Sequence, residues 1–199
     1  MNEPVLFLPG MMSDARVFLP QIVTLSRERS VQVANMTLGE TVEEVAEQVL
    51  AAAPAKFALA GHGMGGVVAM EILRKAKDRV TRLALLDTNA QSETPAIAAA
   101  REAQIVMARA GRLQDAVRDR VKPTDLAPGP RNAGILKLLV DMALEIGPEA
   151  YVRQCRLMQR RPDQQKTLRM MRAPALVMCG VHDQLTPLRR HEFVATLIP

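Results

Sequence analysis

A chain of 199 residues is long enough for one domain with a real core, or for one domain carrying an inserted subdomain. Its 48% apolar and 24% charged content fits a globular protein, and no apolar run reaches the roughly 20 residues that would span a bilayer. The net charge of +5 comes from scattered basic clusters, and with only 3% aromatic residues to stack on bases neither a nucleic-acid nor a membrane partner is expected.

In chain order, residues 5–8 read as a buried strand stopped by Pro9 and Gly10, and 16–25 as a weakly amphipathic helix. A second short strand covers 31–36. Thr41-Val42-Glu43-Glu44 is a capping box, and Val42, Val45 and Val49 follow at helical spacing in a helix ending near Pro54. A third strand, 57–60, climbs into Gly61-His62-Gly63-Met64-Gly65-Gly66, and a helix over 65–77 follows at once. The fourth strand, 80–86, ends at Asp87. Between 95 and 171 the pattern predicts helices and no strand. Breaks fall at Gly111, in the Pro- and Gly-bearing stretch 122–134, and at Gly147-Pro148, a helix stop followed by a helix start. Ile135, Leu138, Leu139, Met142 and Ile146 make one apolar face there. A strand resumes at 175–179, and a last helix covers 187–197.

Strands alternating with helices predict an α/β fold, a parallel sheet with helices on both faces, and near-continuous apolar strands suit such a sheet. Ligands on such sheets sit at the carboxyl ends of the strands, so the loops 9–13, 61–66 and 180–186 should meet on one rim. Cys155 and Cys179 lie far apart without metal spacing, so neither a disulfide nor a metal site is expected, and a reducing cytoplasmic setting is. The opening MNEPVLFLPG has no basic leader and reads as a strand rather than a signal peptide. The basic clusters, Arg118-Arg120-Lys122 and Arg160-Arg161 among them, read as solvated helix ends, with steering of anionic ligands as the alternative.

Three segments together resemble the α/β-hydrolase superfamily, over essentially the whole chain. VLFLPGMMSDARVF resembles the strand and loop supplying one oxyanion donor, LAGHGMGGVVAMEI the nucleophile elbow, and APALVMCGVHDQLTP the strand and loop of the catalytic acid. The resemblance implies an α/β-hydrolase core of about five parallel strands, built from 1–94 and 172–199, with 95–171 inserted as a helical cap or lid and a final strand and helix missing. It also implies a small-molecule ester or related carbonyl substrate, no cofactor, the acid at Asp183, and backbone oxyanion donors at Met11 and Met64.

Two departures stand out. Gly63 occupies the nucleophile position and has no side chain to attack with. Loss of a triad serine costs about a million-fold in turnover, so this chain is expected to be inactive or strongly impaired. The family's catalytic histidine has no match here: His62 precedes the nucleophile position, His182 adjoins the acid, and His191 is expected on the surface of the last helix. Ser13 reads as a helix cap, and Ser92 has no elbow around it. A non-catalytic protein binding a small apolar or acidic ligand on the same fold is the alternative, and cofactor-free proton-transfer or oxygen chemistry ranks last. GHGMGG does not have the register of a dinucleotide-binding loop. The strand at 175–179 is expected to be an apolar, unprotected edge, which a second copy or a partner would cover, or which the family's next strand and helix would cover in a longer protein, the reading preferred here.

Overall fold

The structure, a computed structural model, describes residues 2–199. Five parallel strands, β1 (Asn2–Leu8), β2 (Arg29–Val33), β3 (Phe57–His62), β4 (Val80–Leu86) and β5 (Ala175–Met178), stand in the order β2-β1-β3-β4-β5. The chain steps outward from β1 to β2, then returns past β1 to β3. The direction of winding therefore reverses between β1 and β3, and the carboxyl ends of those two strands are where sheets of this kind bind ligands. In register, Leu8 of β1 pairs with Gly61 of β3, and His62 of β3 with Leu86 of β4, so the three strands end together.

A single 3-10 turn (Ala15–Phe18) leads into α1 (Leu19–Leu25). It is followed in order by α2 (Val42–Ala52) and α3 (Met64–Lys75). Five helices separate β4 from β5: α4 (Pro95–Arg109), α5 (Leu113–Arg120), α6 (Asn132–Ile146), α7 (Pro148–Arg160) and α8 (Gln165–Arg169). The last helix is α9 (Leu188–Leu197). The Thr41 capping box forms as predicted, with the Thr41 side chain accepting from the Glu44 N–H and the Glu44 carboxylate accepting from the Thr41 N–H.

Strand alternation sorts the core into two faces. Leu6, Leu8, Leu59, Leu83 and Leu85 pack under α2, α3 and α9, with Leu157 of α7 and Leu168 of α8 joining them. On the opposite face, Phe7, Ala60, Ala84 and Leu86 meet the 3-10 turn and α1, where Phe18 stacks on Phe7 at 4.5 Å. The rest of that face, toward β5, is an open apolar groove of about 700 Å3. A separate apolar cluster joins Met12 to Ile105, Leu113, Val117, Tyr151 and Cys155, holding α4, α5 and α7 together.

Several boundaries move. The second strand begins at Arg29 and ends at Val33, because it pairs with β1 only as far as Phe7. The third runs two residues further than predicted, carried to His62 by its pairing with Leu86. The apolar face read on α6 is only partly used: Met142 is buried, whereas Ile135 is 40% exposed.

Candidate functional site

β3 passes into α3 through the single residue Gly63. Gly63 sits between strand and helix at φ 54°, ψ −115°, a conformation side chains rarely adopt. Its neighbours explain the glycines around it. A Cβ on Gly61 would lie 2.6 Å from the Gly65 carbonyl carbon, and one on Gly65 would lie 2.6 Å from the Leu8 carbonyl carbon. Gly63 itself is unobstructed: a Cβ there would meet only the Gly10 Cα at 3.8 Å and the Asp87 carbonyl oxygen at 3.9 Å. The turn thus excludes side chains at Gly61 and Gly65 by contact, while at Gly63 the backbone angles are the obstacle.

The rim is held by partners from distant segments. The Gly63 N–H donates to the Leu86 carbonyl (2.9 Å), and the Thr88 hydroxyl donates to the Gly63 carbonyl (2.7 Å). The Thr88 N–H in turn donates to Nε2 of His191 (3.0 Å). His191 is 3% exposed rather than on the surface as expected, because α9 packs against β5 and α8 and turns the imidazole toward the Thr88 N–H, just past the end of β4. Met11 and Met64 follow Gly10 and Gly63 directly, and no acceptor takes either N–H among the described residues. The Met12 N–H donates to Oε1 of Gln154 (2.8 Å), whose Nε2 donates to the Met36 carbonyl. Ser13 is no cap: Asp14 takes that place, accepting from the Arg16 N–H, while the buried Ser13 hydroxyl reaches the Met11 carbonyl.

Strain concentrates here. The two non-glycine residues with positive φ among the described residues are Met12 (55°) and Asp87 (46°). With Gly63 they mark the carboxyl ends of β1, β4 and β3, three neighbouring strands. Left-handed backbone of this kind persists where surrounding structure over-determines it, and it clusters at functional sites.

The carboxylates of the rim are Asp87 and Asp183. Asp183 accepts from the Leu185 and Thr186 N–H groups at Oδ1 (2.7 and 3.0 Å) and from the Thr186 hydroxyl at Oδ2. Three of its roughly four acceptor positions are used within its own loop, and one on Oδ2 is left. Asp87 accepts the Gly180 N–H at Oδ1, and its Oδ2 lies 3.8 Å from Nε2 of His62. Burial pushes the His62 imidazole below its ordinary value, against the pull of Asp87 and Asp183, so His62 favours the neutral form. His182 is exposed, and so is Ser92. Among the described residues, no group of three or more His, Cys, Asp or Glu could hold a metal ion, and no helix is long and apolar enough to cross a membrane.

Sequence reasoning passed over Gln154, Thr88 and the role of Asp87 at this rim. Gln154 carried a signal, being a polar residue on the helix face of Ala150, Tyr151, Cys155 and Met158, all buried. Thr88 and Asp87 carried none, since their partners lie on other elements.

No family model matches the sequence, and no curated protein matches it. Solved structures do. The chain superposes over its whole length on 79% of a thermophilic esterase from Thermogutta terrifontis, described with malate bound, at 25% identity and a TM-score of 0.88. It likewise matches 80% of the enol-lactonase from Burkholderia xenovorans at 23% identity and TM-score 0.82, and 82% of MenH from S. aureus at 18% and 0.81. The architecture is therefore that of the α/β-hydrolase fold, and the chain resembles hydrolases of that fold, esterases among them.

Proposed function

We propose that this chain is a hydrolase-type protein of the α/β-hydrolase fold, built for a small ester or related carbonyl substrate, and that Gly63 leaves its turnover strongly impaired. In this reading the Met11 and Met64 N–H groups stabilise the developing oxyanion, and the start of α3 adds the positive end of its dipole. Asp183 is the acid, and segment 95–171 is the cap. The observation that carries the reading is Gly63 itself. Its backbone takes the strained turn that would raise a nucleophile above the sheet, with room for a side chain and none present. A non-catalytic ligand-binding protein is the second reading, favoured by the same empty seat.

Gly63→Cys in a Cys179→Ser background separates the two. A thiol at the start of a helix ionises readily and needs less help from a base than a hydroxyl. Mixed with p-nitrophenyl acetate, this variant should release a burst of one equivalent of nitrophenolate. The burst should run at least about a hundredfold faster than the reaction of N-acetylcysteine, the factor an oxyanion donor supplies. The chain with Gly63 should give no burst. A cysteine at this position that reacts no faster than the free thiol would refute the hydrolase reading and leave the binding protein.

A further inference from the structure

The helical layer over the rim gathers more positive charge than it neutralises. Arg101 of α4 donates from Nε and Nη2 to Glu93 (2.6 and 2.8 Å), and both side chains are all but buried. Arg161 approaches the same carboxylate at 3.5 Å. Two guanidinium groups share one acid. A third, Arg120, ends α5. Leu113, Ala116, Val117 and Arg120 fall at helical spacing on one face, and the first three are buried against Ile105, Tyr151 and Cys155. That face carries Arg120 inward. An arginine at a helix end ordinarily meets solvent or the last carbonyls, yet among the described residues Arg120 is half-buried with no hydrogen bond or ion pair. Burial first, and repulsion from Arg101 second, push its guanidinium below the ordinary value. A partly buried cation with no bonded acid, only the weaker pull of Glu93, is unfavourable, and an arriving anion relieves it.

The cluster adjoins the rim. Nη1 of Arg101, the arm not given to Glu93, lies 3.7 Å from Sδ of Met11, a weak acceptor. Gln154, flanked in sequence by Cys155 and three residues after Tyr151, holds the Met12 N–H. Apolar walls with a few convergent polar groups are the usual make-up of a small-molecule site. We propose that Arg120 and the free arm of Arg101 form an anion subsite, so that the ligand is a short carboxylic acid whose second carbonyl is an ester or thioester. The carboxylate sits between the guanidinium groups, and the carbonyl lies over Gly63 at the Met11 and Met64 N–H groups. This rests on the hydrolase-type reading for the carbonyl end only.

The test is binding of monomethyl glutarate and dimethyl glutarate to the 199-residue chain with Gly63, followed by calorimetry. The half-ester should bind at least about tenfold more tightly than the diester, because only it offers a charge-assisted pair. Arg120→Gln should erase that preference, Arg120→Lys should restore part of it, and Arg118→Gln, the same charge change at an exposed position, should leave it intact. Without ligand, Arg120→Gln should melt no lower than the parent, since it removes an unpaired charge. A structural arginine would give the opposite sign. No binding of the half-ester, equal binding of half-ester and diester, or a preference that survives Arg120→Gln would each overturn the proposal. The acylation test at residue 63 reads the other half independently. A chain that binds the half-ester through Arg120 but never acylates keeps the anion subsite and loses the hydrolase; one that acylates without discriminating the esters does the reverse.

Discussion

At the residue scale, the glycines of the β3–α3 turn differ in why they are glycine. Gly65 faces the Leu8 carbonyl at a distance no real Cβ shows, and only backbone could move to admit a side chain. Gly63 has space and an unfavourable φ. Alanine should therefore cost about 1–3 kcal/mol at Gly63, the range for strained backbone, and more than about 3 kcal/mol at Gly65. For a chain of this size each kcal/mol lowers the melting temperature by roughly 2–4 °C, so Gly65→Ala should melt well below Gly63→Ala. The reverse order in thermal unfolding would mean that the turn is not as tight as described. Gly65 was legible in sequence, because a strand followed at once by a helix demands close backbone approach, whereas Gly63 stood out as a glycine at the nucleophile position. The caps and histidines were less so. Ser13 and Asp14 are equally good caps by type, and the turn at Met12 hands the role to Asp14.

At the element scale, α3 and α8 are clamped together by a buried acid. The Glu71 side chain is fully buried, accepts from Arg74 at both oxygens (2.8 and 2.6 Å) and from Nε2 of Gln164 (2.8 Å). The Gln164 N–H donates to the Ala90 carbonyl, and its Oε1 accepts from the Thr167 hydroxyl. Burial alone would raise the Glu71 carboxyl; the bonds from Arg74 and Gln164 outweigh it and hold it below the usual carboxylate value. A carboxyl that is more acidic in the folded state stabilises the fold fully above its unfolded value, near pH 4.3, and loses that contribution as pH falls through the lower folded value. Glu71→Gln should cost roughly 1.5–3 kcal/mol at pH 7, as for hydrogen bonds to a charged group. Its melting temperature should approach that of the parent as pH drops below about 4.3. Melting curves that stay parallel down the acid limb would remove Glu71 from this role. Helix existence was readable from periodicity, but the clamp was not, since Glu71 and Gln164 are 93 positions apart.

At the scale of the whole molecule, the sheet is covered unevenly. β5 lies at its edge, and Leu176 and Met178 are 53% and 52% exposed beside the open groove. An apolar edge strand with free N–H and C=O groups is a template for another strand, and we propose that copies of this chain associate through it. Sedimentation should show association rising with concentration, and Met178→Lys, a charge of the kind that blunts natural edges, should suppress it. A parent chain that stays monomeric at high concentration, or a Met178→Lys variant that associates as strongly as the parent, would rule this out. That the strand is apolar was plain in sequence; that it stands at the end of the sheet follows from the strand order.

The sequence by itself determined what short-range physics controls: the alternation of strand and helix, the Thr41 cap, the tight turn at Gly63, and the convergence of three loops at one rim that a parallel sheet imposes. Tertiary structure alone decided which remote side chains meet there. The bond from Met12 to Gln154 spans 142 positions and that from Thr88 to His191 spans 103. The inward turn of Arg120 likewise depends on which face of α5 meets α4 and α7. Periodicity shows that a helix has a buried face, but not what that face is buried against, and it is the opposing surface that sets the environment of each polar group.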